Sequence, residues 1–333
     1  MNIFKEFFQK KSYNFDGAKT TVLLISSLKK NQNYYRDEEI LRQCNCIRLA
    51  EDFNFEKYNW DIRKIIESLY KTNPPEFIFL NYNHHFTHKI KNIGKTGLPI
   101  FAFVGDTYDF ITPDGRSVEK KNFIQSLNPI AYITVFPNTN EMLYEGLGTN
   151  NIKIIKSHWA VDEKIFRPQN RWRRYDIGCL GAHTPHKYPF RNKVRKYLLS
   201  QNKLKFFKKE RVCGHDGVKF SKALNRLKSC FTDASIYGFT LMKYFEIPAC
   251  GTLLFGERTE DLDNLGFKDG INFVEVNERN FQEKFDYYLR GPGKKDWEEI
   301  TYNGKELIHK RYTWKITVKE LLSDIKKVLK DNV

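Results

Sequence analysis

The chain has 333 residues, 41% hydrophobic and 15% aromatic, which excludes a disordered or low-complexity protein and suits two domains of about 150 residues each. A net charge of +16 predicts attraction to something anionic: nucleic acid, an acidic membrane surface or a phosphorylated substrate. No apolar run approaches the ~18 residues that span a bilayer, and six scattered cysteines have neither zinc nor disulfide-framework spacing, so a reducing, cytoplasmic setting is expected.

Residues 1–15 put Ile3, Phe4, Phe7 and Phe8 on one helical face, with Lys5, Lys10 and Lys11 elsewhere. This predicts either a helix packed on the body of the protein or an interfacial anchor making peripheral contact with the inner face of a membrane. The amino end lacks the apolar core and small-residue cleavage site of a secretion signal. Strands are predicted over 20–25, 77–80, 100–104, 131–135 and 152–155, and helices over 35–44, 60–70 and 141–147. The basic stretch 167–174 (R-P-Q-N-R-W-R-R) reads as an interdomain linker. Beyond it a strand over 175–180 ends at Gly181, followed by helices over 190–199 and 220–230. Strands over 252–255 and 271–276 and a helix over 281–289 complete the second half. Such alternation specifies parallel sheets with crossover helices, the doubly wound α/β class. Ligands of such sheets bind beyond the carboxyl ends of the strands, so a cleft between the two halves is the expected site.

The segment from Tyr237 to Gly251 (Y-G-F-T-L-M-K-Y-F-E-I-P-A-C-G) joins a glycine turn to a short helix carrying Lys243 and Glu246. Backbone N–H groups around Tyr237, Gly238, Phe239 and Thr240 are expected to face a phosphate, with Lys243 beside the diphosphate. Glu246, three residues on, shares the helical face of Lys243 and is placed to bond a ribose diol. The loop after the strand over 175–180 (Gly181, His183, His186, Lys187, Arg191) supplies cations for a leaving diphosphate. Asp106, at the end of the strand over 100–104, and His85, after the strand over 77–80, are the candidate general bases. Asp109 competes with the first, and His84 and His88 with the second. No carboxylate or cysteine completes a metal set with these histidines, so no metal is expected.

These residues resemble a known family. S-H-W-A-V-D-E-K-I-F-R-P over 157–168 is similar to the hinge-side "G-V-D-x-x-x-F-x-P" of two-domain glycosyltransferases. The strand ending at Gly181 followed by Arg191 resembles the start of their donor-binding domain. K-Y-F-E-I-P-A-C-G over 243–251 resembles their "R/K-x-F-E-x-x-A-C-G" box, and L-G-F-K-D-G-I-N-F-V over 265–274 the "L-G-F-x-D-G-x-N-x-V" that follows. The nearest likeness is to spore-maturation-type members of the family 1/family 4 group. The resemblance implies the GT-B architecture: two facing Rossmann-like domains, residues 1–165 on the acceptor side and 166–315 binding the nucleotide-sugar. A helix over 316–333 is expected to pack back toward the first domain. It also implies transfer of a sugar from a nucleotide-diphosphate co-substrate, without a further cofactor, to an acceptor hydroxyl. Retaining members carry a glutamate eight positions before the one matching Glu246, where this chain has Gly238, which leaves inversion or retention open. The acceptor is expected to be anionic: a glycan or membrane-associated, lipid-linked glycan precursor, with modified bases in DNA as the alternative. A non-catalytic nucleic-acid-binding protein is disfavoured by the absence of a nucleic-acid motif and by lysines spread over the whole chain.

Overall fold

The computed structural model describes residues 17–28, 32–82, 85–105, 107–110, 115–136, 140–148, 152–208 and 216–331. The amphipathic stretch 1–15 lies outside them. The first half runs β1 (Thr21–Ile25), α1 (Gln32–Gln43), β2 (Asn45–Leu49), α2 (Ile62–Leu69), β3 (Phe77–Asn81), β4 (Ile100–Phe103), α3 (Gly115–Ser126), β5 (Ala131–Thr134), α4 (Asn140–Leu147) and β6 (Ile154–Lys156). Its six strands lie in the order β2-β1-β3-β4-β5-β6, every pairing parallel. All five residues of β1 are buried, because helices cover both faces of the sheet.

The second half runs β7 (Tyr175–Cys179), α5 (Pro189–Ser200), β8 (Phe206–Phe207), α6 (Gly217–Leu224), β9 (Leu227–Thr232), α7 (Lys243–Ala249), β10 (Leu253–Gly256), β11 (Val274–Glu275), α8 (Phe281–Leu289), α9 (Trp297–Arg311) and α10 (Trp314–Lys330). Its five strands take the order β11-β10-β9-β7-β8, again all parallel. From its first strand outward, each sheet therefore follows one plan: second strand on one side, all later strands on the other. The architecture is the expected GT-B pair of doubly wound α/β units.

One predicted element changes identity. The helix expected over 220–230 stops at Leu224, and Leu227–Thr232 becomes β9, the central strand of the second sheet. The Asn225 side chain donates to Arg167 O (3.1 Å) and Ser221 O (3.0 Å), turning the chain out of the helix. A short apolar run cannot be assigned to helix or strand by periodicity alone; burial on both faces between β7 and β10 decides it. The strands β2 and β8 also go unread, since β2 alternates buried and half-buried residues among polar neighbours and β8 is two residues long.

The halves are joined at two crossings that bond to each other. Val161 N donates to Tyr312 O (3.0 Å) and Trp314 N to Val161 O (3.0 Å). From there α10 packs on α1, with the Gln43 amide on Lys315 O (2.9 Å) and Lys153 paired to Asp331 (2.7 Å). The carboxyl ends of the strands meet across the space between the sheets. Phe136, just past β5, stacks on Phe239, past β9, at 4.2 Å and 17°. Tyr35 of α1 touches the start of α6, where an added Cβ on Gly217 would lie 2.9 Å from its ring.

Candidate functional site

In the second sheet the strand order reverses between β7 and β9, and open α/β sheets bind ligands in the crevice at that reversal. Two loops leave the sheet there, 180–188 after β7 and 233–242 after β9. They are tied together by Ile236 N donating to Lys187 O (3.1 Å).

The floor of the crevice is a charge cluster. Arg191, in the first turn of α5, is fully buried. Its guanidinium pairs with Asp233, donates to Ala182 O (2.9 Å) and lies over the Tyr188 ring at 4.1 Å. Asp233 also accepts the Arg191 backbone N–H (3.0 Å), so one carboxylate caps α5 and neutralises the arginine. Lys243 stands beside this pair. Burial pushes its ammonium down to about 8, with Arg191 adding to the effect and Glu246 and Asp233 opposing it. Gly181 makes room for it: at φ +122°, an added Cβ would come within 2.7 Å of Lys243 Cε, 2.9 Å of Nζ and 3.1 Å of Arg191 Nη1. Gly181, Arg191 and Lys243 are thus brought together, with Arg191 committed to Asp233 and Lys243 the cation without a carboxylate bonded to it among the described residues.

Glu246 is buried one helical turn along α7 from Lys243. It lies within electrostatic reach of Lys243 and of Tyr35 in the other half of the molecule. Burial, followed by Asp216, Asp162 and Glu246, pushes the Tyr35 phenol up to about 12.

The turn before α7 departs from expectation. Its N–H groups are engaged internally: Phe239 N on Ala234 O (2.8 Å), Gly238 N on Ser235 O (3.4 Å) and Tyr237 N on Ser235 Oγ (3.2 Å). The Phe239 ring is interface core against Phe136, and Tyr237 stacks on Phe239 at 5.4 Å. The Thr240 hydroxyl is buried against Thr259 and Asp261. The Tyr237, Gly238 and Phe239 N–H groups are thus satisfied within the turn, and these residues shape the crevice. Gly238 is exposed at φ +68°, with nothing within 4 Å of where a Cβ would be, and it leaves its side of the crevice open. His183 and Lys187 are half-buried on the rim, and His186 is exposed.

On the facing sheet His85 is exposed beyond β3, and His88 sits 3.8 Å from Glu119. Asp106, His84 and the side chain of Asp109 lie outside the described residues. Among the described residues no cluster of three or more His, Cys, Asp or Glu could hold a metal, and no helix is long and apolar enough to cross a membrane.

Sequence reasoning missed Asp233 and Glu257, the acids just past β9 and β10. Glu257 accepts the Ala234 N–H (2.9 Å), which anchors the turn; burial pushes its carboxyl up while that bond opposes the shift. An acid directly after a buried run was the available signal; for Glu257 it stood behind a predicted strand, and for Asp233 it is legible only once β9 is read as a strand.

Two doubly wound parallel sheets facing each other across a crevice define the GT-B type of fold. A family described as "Glycosyl transferase-like" matches residues 157–323, and the chain belongs to it. No curated protein matches. Among solved structures, the chain is similar to HepE of Anabaena in complex with UDP and glucose (TM-score 0.60, 9% identity, covering 92% of this chain and 100% of that one). It is also similar to sucrose-phosphate synthase of Thermosynechococcus elongatus (TM-score 0.57, 11% identity, 94% and 100%). A glycosyltransferase of Rickettsia africae gives a TM-score of 0.56 at 12% identity, covering 94% of this chain and 99% of that one.

Proposed function

We propose that this glycosyltransferase takes its sugar from a nucleotide diphosphate, with UDP the first nucleotide to test, and passes it to a hydroxyl of a glycan or lipid-linked glycan precursor. The observation that carries this reading is the convergence of Gly181, Lys243 and the Arg191–Asp233 pair at the reversal point, inside the family match. UDP is favoured because the similar Anabaena structure holds UDP and glucose.

In this reading the diphosphate lies over Gly181 with Lys243 against its leaving oxygen, and the ribose diol bonds Glu246. The bond between the anomeric carbon and the diphosphate oxygen breaks, the acceptor oxygen bonds that carbon, and the acceptor proton passes to a base from the first half of the chain, Asp106 or His85. Negative charge grows on the leaving diphosphate. A cation held in place before reaction stabilises it without reorganising solvent. Domains 1–165 and 166–315 would divide the work between acceptor and donor. The reading needs no resident metal or other cofactor.

The test is a panel of nucleotide-sugars scored by nucleoside diphosphate release, with acceptors added one at a time. Turnover with at least one donor and its loss in Glu246→Ala, with an unchanged unfolding midpoint, are expected. Neither turnover nor a thermal shift with any nucleoside diphosphate would overturn the proposal.

A further inference from the structure

The charge of this chain is not evenly spread. Residues 151–230 hold 21 of the 56 Lys and Arg but only 5 of the 40 Asp and Glu, a net +16 that equals the charge of the whole chain. The lysines are spread along the chain as expected; the local excess comes from arginines and from the scarcity of acids. The described part of this segment runs from β6 of the first sheet through the linker into β7, then α5, the edge strand β8, α6 and the central strand β9, so much of it lies on the β7–β8 side of the second sheet.

At the amino-terminal end of β7, remote from the crevice, stands Trp172, 85% exposed. It is held there by its neighbour. Arg173 points inward and donates to Leu227 O (2.6 Å), Cys250 O (2.7 Å) and Thr252 Oγ1 (2.8 Å), fixing the linker against the base of the sheet. Arg171 and Arg174 flank the indole and are exposed. Arg226 lies 5.3 Å over the Tyr175 ring and 5.5 Å over Phe207, and Lys205 Nζ is 5.7 Å from Tyr175. Asp176, the acid in this patch, is already paired with Lys228 at 2.8 Å.

We infer that this face docks on the surface of an anionic lipid bilayer. An exposed indole with an exposed arginine close on either side in the chain matches such a surface, where each Lys or Arg strengthens partitioning about fivefold. Single-stranded nucleic acid fits less well: Arg226 lies over Tyr175 and Phe207, and Phe207 is buried, so the described residues present no run of open aromatic faces for successive bases. The surface does not depend on the proposed reaction.

The full chain is sedimented with vesicles of phosphatidylcholine alone and of phosphatidylcholine with about one quarter phosphatidylglycerol. Binding to the anionic vesicles only is expected, lost at about 1 M salt. Trp172→Ala is expected to weaken it, and Arg171→Gln with Arg174→Gln to weaken it about 25-fold together, with unfolding midpoints unchanged. Binding indifferent to lipid charge, or unchanged in all variants, overturns the inference; the second outcome would move the contact to residues 1–15. Duplex DNA that binds more tightly than the vesicles and is lost in the same variants overturns it in favour of a nucleic-acid face.

Discussion

The two sheets share one strand plan, and beside the reversal point each carries a buried arginine–aspartate pair. They use it differently. In the first half Arg36 and Asp37 are neighbours on α1, bonded at 2.7 Å, with the guanidinium 3.9 Å over Phe103 and Asp37 near Asn81 at the end of β3. Aromatic rings close that pair, and it acts as a brace between helix and sheet. In the second half Arg191 and Asp233 come from α5 and the end of β9, and a further lysine stands beside them. The first arrangement is neutral and sealed; the second is neutral with one added cation at an open crevice. The lesson is that the topology supplies the place, while the added lysine is what distinguishes the second sheet's reversal point and, in the proposed function, suits it to an anion.

Removing an acid tests that contrast most severely. Asp233→Asn leaves Arg191 buried without a counter-charge and uncaps α5, so a loss of about 3–5 kcal/mol in chemical denaturation is expected. Asp37→Asn is expected to cost less, because Phe103 and Phe79 still cover Arg36. Equal losses would mean that the two pairs play the same structural part.

The added cation is tested next. Lys243→Met is expected to lower kcat/KM for the donor by about 10²–10³-fold, the scale of one lost donor at a developing oxyanion, without lowering stability. The sign of the stability effect follows from its depressed pKa. Between about 8 and the ordinary lysine value of 10.5 the unfolded chain binds more protons than the folded one, so the wild type gains stability as pH rises through that window, and Lys243→Met does not. Nucleoside diphosphate affinity should fall above about pH 8 in the wild type and stay flat in the variant. A pH-independent wild type would remove Lys243 from the site.

The smallest effect sharpens the contact between the halves. A double-mutant cycle of Phe136→Leu and Phe239→Leu is expected to show a coupling of about 0.5–1.5 kcal/mol in unfolding free energy. A coupling near zero would mean that the ring stack seen at 4.2 Å contributes no more than its separate burials.

Much of this was legible in one dimension. Buried parallel strands announce themselves as unbroken apolar runs, so β1, β3, β4, β5, β7 and β10 were found, and from them the fold class. The order of motifs after the linker pointed to the glycosyltransferase family. The box holding Lys243 and Glu246 stood out because helical spacing alone puts the two on one face. What escaped was β9. Its residues L-K-S-C-F-T carry no period that separates strand from helix, and without that strand Asp233 had no special position. The turn at Gly238 was read as a donor of free N–H groups because the sequence does not reveal that Ala234 and Ser235 would accept them.

By itself, then, the sequence determined the layers, the family and the helix that bears the lysine and the acid, since these follow from hydrophobic runs and local spacing. Tertiary structure decided which charges are matched. Asp233 lies 42 residues from Arg191, and only the parallel pairing of β7 with β9 brings them together. Whether a buried charge is free to meet a ligand depends on such distant partners, because in a low-dielectric interior the nearest counter-charge sets its state.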